Sequence, residues 1–308
     1  MATGKGPVPH VFLLLTLAII SISFTPTHAQ QCHMAHDKNS LKAIQERAAA
    51  GDADAQCGLG KQYEFAVGIP EDDKQAAVWL KKSAEQGNVI AQVELGVVSD
   101  KLQDYSQALI WYRKAADQGN ARAEYNLGLA YQNGESVPKD AVQASNWYRK
   151  AADQGDALAQ LNLAVMYDQG AGIPKDYSQA ADWYRRAAEG GLAEAQYGLG
   201  FLYLIGNGVP KDERQATTWL LKAAEQGEPN AQFNLGACYV NGEGVNRDEN
   251  EGYFWILLAR TRTMDPGLKA HAENSLEVLT KAMKRDEVKA AQKRAQVWLS
   301  THPWKAGH

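Results

Sequence analysis

The chain has 308 residues with 32 Lys and Arg against 36 Asp and Glu, a net charge of −4 that lacks the basic excess a nucleic-acid partner needs. Its three cysteines, Cys32, Cys57 and Cys238, are too few for a disulfide scaffold, so the core must come from side-chain packing.

The chain opens with Lys5, an apolar run from Val11 to Ile20, and the small residue Ala29 ahead of Gln30. This pattern predicts a secretory signal peptide over residues 1–29. Thr25, Pro26 and His28 interrupt the run before it reaches the ~20 apolar residues of a bilayer span, so no integral membrane segment is expected after cleavage. Gln30 and Gln31 are too polar for a lipoprotein signal before Cys32. Cys32, His33 and His36 form a short copper- or zinc-like cluster. They lie in a terminal tail with no further ligands nearby in sequence, and no metal is expected. In an oxidising compartment Cys32 and Cys57 are a possible disulfide that would clip this end.

From residue 53 the chain repeats. Trp79, Trp111, Trp147, Trp183, Trp219 and Trp255 are separated by 32, 36, 36, 36 and 36 residues. Leu59-Gly60, Leu95-Gly96, Leu127-Gly128, Leu163-Ala164, Leu199-Gly200 and Leu235-Gly236 keep the same step, as do Asp72, Asp104, Asp140, Asp176, Asp212 and Asp248. Three columns in step specify a tandem repeat. Within a unit, Ala159, Leu163 and Tyr167 share one face of a first helix. Gly170-Ala171-Gly172-Ile173-Pro174 ends that helix. Asp176 caps a second one, which carries Ala180 and Trp183 inward. Trp147 and Trp183 are therefore expected in the core. Repeat two is four residues short between Gly96 and Asp104 and has Ser99 where its neighbours have Tyr.

The pattern A-x-x-x-L-G-x-x-Y, G-x-G-V/I-P-x-D, A-x-x-W-Y-x-K-A-A-x-x-G resembles the Sel-one-like repeat family, related to tetratricopeptide repeats. The reading is an all-α helix-pair repeat solenoid: an N-terminal capping helix in 30–52, six repeats in 53–260 and a helical C-terminal cap in 261–308. The resemblance implies a right-handed superhelix with a concave inner wall. It also implies a protein that binds a protein or peptide partner, often exported by bacteria, hence periplasmic or secreted. Residues opposite the core face of the first helices would line that wall. They are Tyr125, Asn126 and Leu129; Leu161, Asn162 and Val165; Tyr197 and Phe201; and Phe233 and Asn234. This is an apolar stripe rimmed by amides, suited to a peptide segment. The same side chains would be buried if neighbouring first helices packed on them, and the sequence leaves both arrangements open.

Signals for chemistry lose to local explanations. Ser136-Val137-Pro138-Lys139 matches S-x-x-K of serine β-lactamases, but it occupies the interhelical turn and no K-T-G accompanies it. Asn246, Asp248 and Asn250 have calcium-loop spacing, yet Glu251 and Leu257 stand at its turn-glycine and bidentate-acid positions. Cys238 reads as a small core residue. No catalytic residue, metal or cofactor is assigned, and the chain is expected not to be an enzyme. The alternative is a hydrolase of envelope material, a β-lactam or peptidoglycan.

Overall fold

The computed structural model describes residues 32–34 and 38–302; the expected signal peptide, His36 and His308 lie outside the described residues. Among the described residues there are fifteen α-helices and no strand. The chain divides into two compact units, the described part of the first ending at Trp183 and that of the second beginning at Tyr184.

The first unit begins with α1 (Lys38–Ala49), whose Ile44 and Ala48 pack on Ala55 and Leu59 of α2 (Ala53–Glu64). Helix pairs follow: α2 with α3 (Asp73–Glu85), α4 (Val89–Lys101) with α5 (Tyr105–Asp117), and α6 (Ala121–Asn133) with α7 (Ala141–Asp153). α8 (Ala157–Gln169) and the start of α9 (Tyr177–Glu189) complete it. In α2, α4 and α6 the residue after the central Leu is a glycine against which the partner helix packs closely. A Cβ at Gly60 would collide with Leu80, one at Gly96 with Tyr112, and one at Gly128 with Tyr148. These partner side chains are buried, and Tyr148 completely so.

That column corrects one expectation. The deepest aromatic of the third pair is Tyr148; Trp147, expected in the core, is only half-buried, as are Trp79 and Trp219, while Trp111, Trp183 and Trp255 are buried. Adjacent helical residues point about 100° apart. The Trp therefore lies at the edge of the interface, where the lysine three residues on covers its outer face. Lys82, Lys114 and Lys150 each sit 4.0 Å from the ring centroid of Trp79, Trp111 and Trp147.

Capping and latching explain two further columns. Asp72 and Asp140 accept from the backbone N–H groups two and three residues on, and Asp104 from that of Gln107, occupying donors a helix start leaves free. A glutamine latch, not anticipated from the sequence, joins successive pairs. The side-chain amides of Gln56, Gln92 and Gln160 donate to the Ala48, Ala84 and Ala152 carbonyls eight residues back, at the end of the preceding helix. The latch is buried, so each amide satisfies a carbonyl that water cannot reach.

In the second unit, α10 (Ala193–Ile205) pairs with α11 (Glu213–Glu225) and α12 (Pro229–Asn241) with α13 (Glu249–Arg262). Gln196 and Gln232 repeat the latch on Ala188 and Ala224. Asp212 and Asp248 repeat the cap; Asp248 accepts from Asn250 and Glu251, so the calcium-like triplet is a helix start. α14 (Pro266–Ala282) and α15 (Arg285–Thr301) close the end, with Ala272, Leu276, Leu279, Val288 and Ala291 packed on Tyr253 and Ile256.

Cys32 and Cys57 form a disulfide with a Cα–Cα distance of 5.2 Å, and Cys238 is free and buried. Thiol counting on denatured, unreduced protein should therefore find one thiol; three would contradict the linkage.

Candidate functional site

Each first helix offers three positions around its central Leu that bear on the expected wall, at two residues before, one before and two after. In α6 and α8 the positions two before are Tyr125 and Leu161. Tyr125 is half-buried, with its ring 5.8 Å from that of Tyr148, and Leu161 is buried. Burial pushes the Tyr125 hydroxyl up to about 12. One residue before the Leu, Asn126 is half-buried and Asn162 is buried, its amide engaging the Tyr125 and Tyr148 hydroxyls. Two residues after it, Leu129 and Val165 are half-buried.

In the second unit, Tyr197 and Phe201 on α10 are half-buried, with ring centroids 6.1 Å apart. Tyr197 also packs against the core of Leu220 and Leu235. Phe233 on α12 is half-buried against Tyr253, Ile256 and Ala272, and Asn234 beside it is buried. Both expected arrangements thus occur side by side. Leu161, Asn162 and Asn234 are enclosed, while Tyr125, Asn126, Leu129, Val165, Tyr197, Phe201 and Phe233 keep part of their surface open. The amides do not form an accessible rim, because two of the three are enclosed.

Sequence reasoning missed a charged sector in repeats one to three. Lys61 takes the position of Leu129 and Val165, and Glu94 that of Asn126 and Asn162. The Lys61 ammonium donates to Glu94 Oε1 at 3.0 Å, and Arg122 Nη1 lies 3.4 Å from the same oxygen. Next to them Lys101 donates to Glu64 Oε1 at 3.0 Å, and its ammonium lies 5.6 Å from the centroid of the exposed Phe65 ring. The carboxylates are inside and the cations outside. The Glu94 and Glu64 side chains retain 6% and 1% of their exposure, against 45% for Arg122 and 30% for Lys101. Burial, then the Glu94 charge, raises the Glu64 carboxyl above its ordinary range, although Lys101 pulls the other way. Asp100 is pushed up to about 6 by burial while accepting from the Tyr112 hydroxyl at 2.6 Å. A Lys and a Glu in columns otherwise apolar or amide were the available signal.

The candidate nucleophiles are not activated. Ser136 lies in an exposed turn at φ 56° with its hydroxyl 3.2 Å from that of Ser106. Burial pushes the Cys238 thiol up to about 12, far from a thiolate at neutral pH. In the second unit Glu228 caps α12 with its carboxyl raised to about 7 by burial. Its share of stability is greatest below the ordinary carboxyl range and is lost as pH rises through 7.

The Sel1 repeat family model matches residues 53–88, 90–120, 121–156, 157–192, 193–228 and 229–262. The chain belongs to the Sel1 repeat family. It is similar to the Escherichia coli protein c5321, a protective antigen present in uropathogenic strains that displays an SLR fold. That likeness has 37% identity and a TM-score of 0.79, over 87% of this chain and 57% of that one. The chain thus spans little more than half the length of that relative. A Sel1 repeat protein from Oxalobacter formigenes is similar at 32% identity and a TM-score of 0.65, over 76% of this chain and 69% of that one. No curated protein matches. The Sel1 repeat scaffold is typical of protein–protein interaction, and its members are generally not enzymes.

Proposed function

We propose that this Sel1 repeat protein is an exported scaffold that binds a protein or peptide segment along the wall of its first helices, the concave surface of a repeat superhelix. The observation that carries this reading is found in each unit by itself: Leu129 and Val165 in the first, and Tyr197 and Phe201 in the second, are half-buried, large apolar side chains at positions where a merely solvated helix face would be polar. The apolar run from Val11 to Ile20 and the Cys32–Cys57 disulfide support export to an oxidising compartment.

Changing Tyr197 and Phe201 together to Ser should weaken a partner recovered from the native envelope by tenfold or more, about 1.4 kcal/mol. Far-UV circular dichroism should be retained. Tyr197 also packs on the core, so Phe201→Ser alone supplies the arm in which stability changes least. A double variant that melts like a core mutant would make the row structural. One that folds and binds at full strength would move the partner to another surface.

A further inference from the structure

One part of the wall already carries an extended segment, and it belongs to this chain. Cys57 occupies in α2 the position that Tyr125, Leu161, Tyr197 and Phe233 occupy in later repeats, and Gly58 occupies that of Asn126, Asn162 and Asn234. Residues 32–34 lie across both positions. The Cys32 side chain is joined to Cys57 and packs against the buried cluster that contains Cys57, Leu80 and Leu95. The His33 backbone lies so close to α2 that a Cβ at residue 58 would overlap its carbonyl. Glycine in mid-helix is unfavourable by propensity, so its presence there fits a requirement for close backbone approach. His33 is exposed and Met34 half-buried, and the bond from Cys32 to Cys57 fixes the segment to α2.

We propose that residues 32–34 are a tethered occupant of the wall at repeat one, and that thiol–disulfide exchange releases them and uncovers this face of α2 for an extended segment of a partner. The partner's part in this rests on the wall reading above; the release does not. Cys57 is fully buried and Cys32 half-buried, so an incoming thiolate reaches the Cys32 sulfur. It forms a mixed disulfide there while Cys57 leaves as a thiolate and takes up a proton. The second thiol of the attacking dithiol then displaces Cys32. The products are two protein thiols and an oxidised dithiol, which has supplied both electrons and both protons. Dithiol oxidoreductases are the class of reagent that performs this exchange. Once untethered, the three residues lose the high effective concentration that the bond gave them.

Two variants of the full chain test the release. In Cys57→Ser, native-state alkylation of Cys32 followed by mass spectrometry should run within about twofold of the rate for a synthetic peptide of residues 30–36, with buried Cys238 as the slow internal reference. Circular dichroism at the labelling temperature should stay helical. Gly58→Ala should make the Cys32–Cys57 bond reducible at tenfold or more lower dithiothreitol, because the new methyl pushes His33 off the helix. Cys32 labelling tenfold or more slower than the peptide would overturn the proposal, since the segment would then stay in place without the bond. So would unfolding of the first repeats in Cys57→Ser, which would make the bond a staple, or unchanged reducibility in Gly58→Ala. None of these readouts uses a partner, so their failure leaves the Tyr197 and Phe201 test standing, and the reverse also holds.

Discussion

Tyr148→Ala is expected to destabilise the first unit by about 3–5 kcal/mol, and Trp147→Ala by distinctly less. Tyr148 has no exposed surface, fills the space that Gly128 leaves on α6, and donates its hydroxyl to Gln132 Oε1 at 2.6 Å. Truncation creates a cavity in a close-packed interface and orphans that acceptor. Trp147 keeps one face under Lys150, so part of its area is already in contact with solvent or with a solvated side chain. Urea unfolding of the two variants should rank them in that order; the reverse order would contradict the placement of the core.

The second large effect is expected at Lys101. Lys101→Met leaves the Glu64 carboxylate enclosed without its cation, and Glu64 Oε2 already has no hydrogen-bond partner. Loss of one member of a fully buried pair costs about 3–5 kcal/mol. Lys101 is partly solvated, so about 2–3 kcal/mol is expected at pH 8. The sign of the pH dependence follows from the raised Glu64 carboxyl. A carboxyl whose folded pKa lies above its unfolded value favours folding below the unfolded value, and the benefit disappears as pH rises through the folded one. Lys101→Met, which raises that carboxyl further, should therefore be less destabilising at pH 5 than at pH 8. Adding Glu64→Gln should restore most of the loss at pH 8. Equal and small effects at both values would show that the pair is a solvated surface contact.

The helix pairs, the Asp caps and the turn glycines could be read from the sequence because each is imposed by local backbone chemistry at a fixed step. Gly60, Gly96 and Gly128 were equally legible as a repeating column. Which aromatic packs on Gly128 was not, since Trp147 and Tyr148 are neighbours and the choice depends on the rotation of α7 against α6. The wall was half legible. Helical spacing gave Leu129, Val165, Tyr197 and Phe201 equivalent positions on their helices, but the burial of Leu161, Asn162 and Asn234 depends on how neighbouring helices pack on them. The charged sector was missed because Lys61, Glu94 and Arg122 come from three repeats, and their pairing depends on how successive first helices lie beside one another. The glutamine latch was visible as a column at Gln56, Gln92, Gln160, Gln196 and Gln232, yet its purpose needed the carbonyl eight residues back.

That the first helices, rather than the second, carry the partner is tested most directly by site-specific photo-crosslinking in the native cell. Benzoylphenylalanine at Leu129, and separately at Phe201, should form a covalent adduct with the same partner, and that adduct at Leu129 should weaken when Tyr197 and Phe201 are changed to Ser. The same group at Val142 on α7 or Val278 on α14, both exposed, should form none. Adducts at Val142 or Val278 with none at Leu129 and Phe201 would contradict a binding wall of first helices.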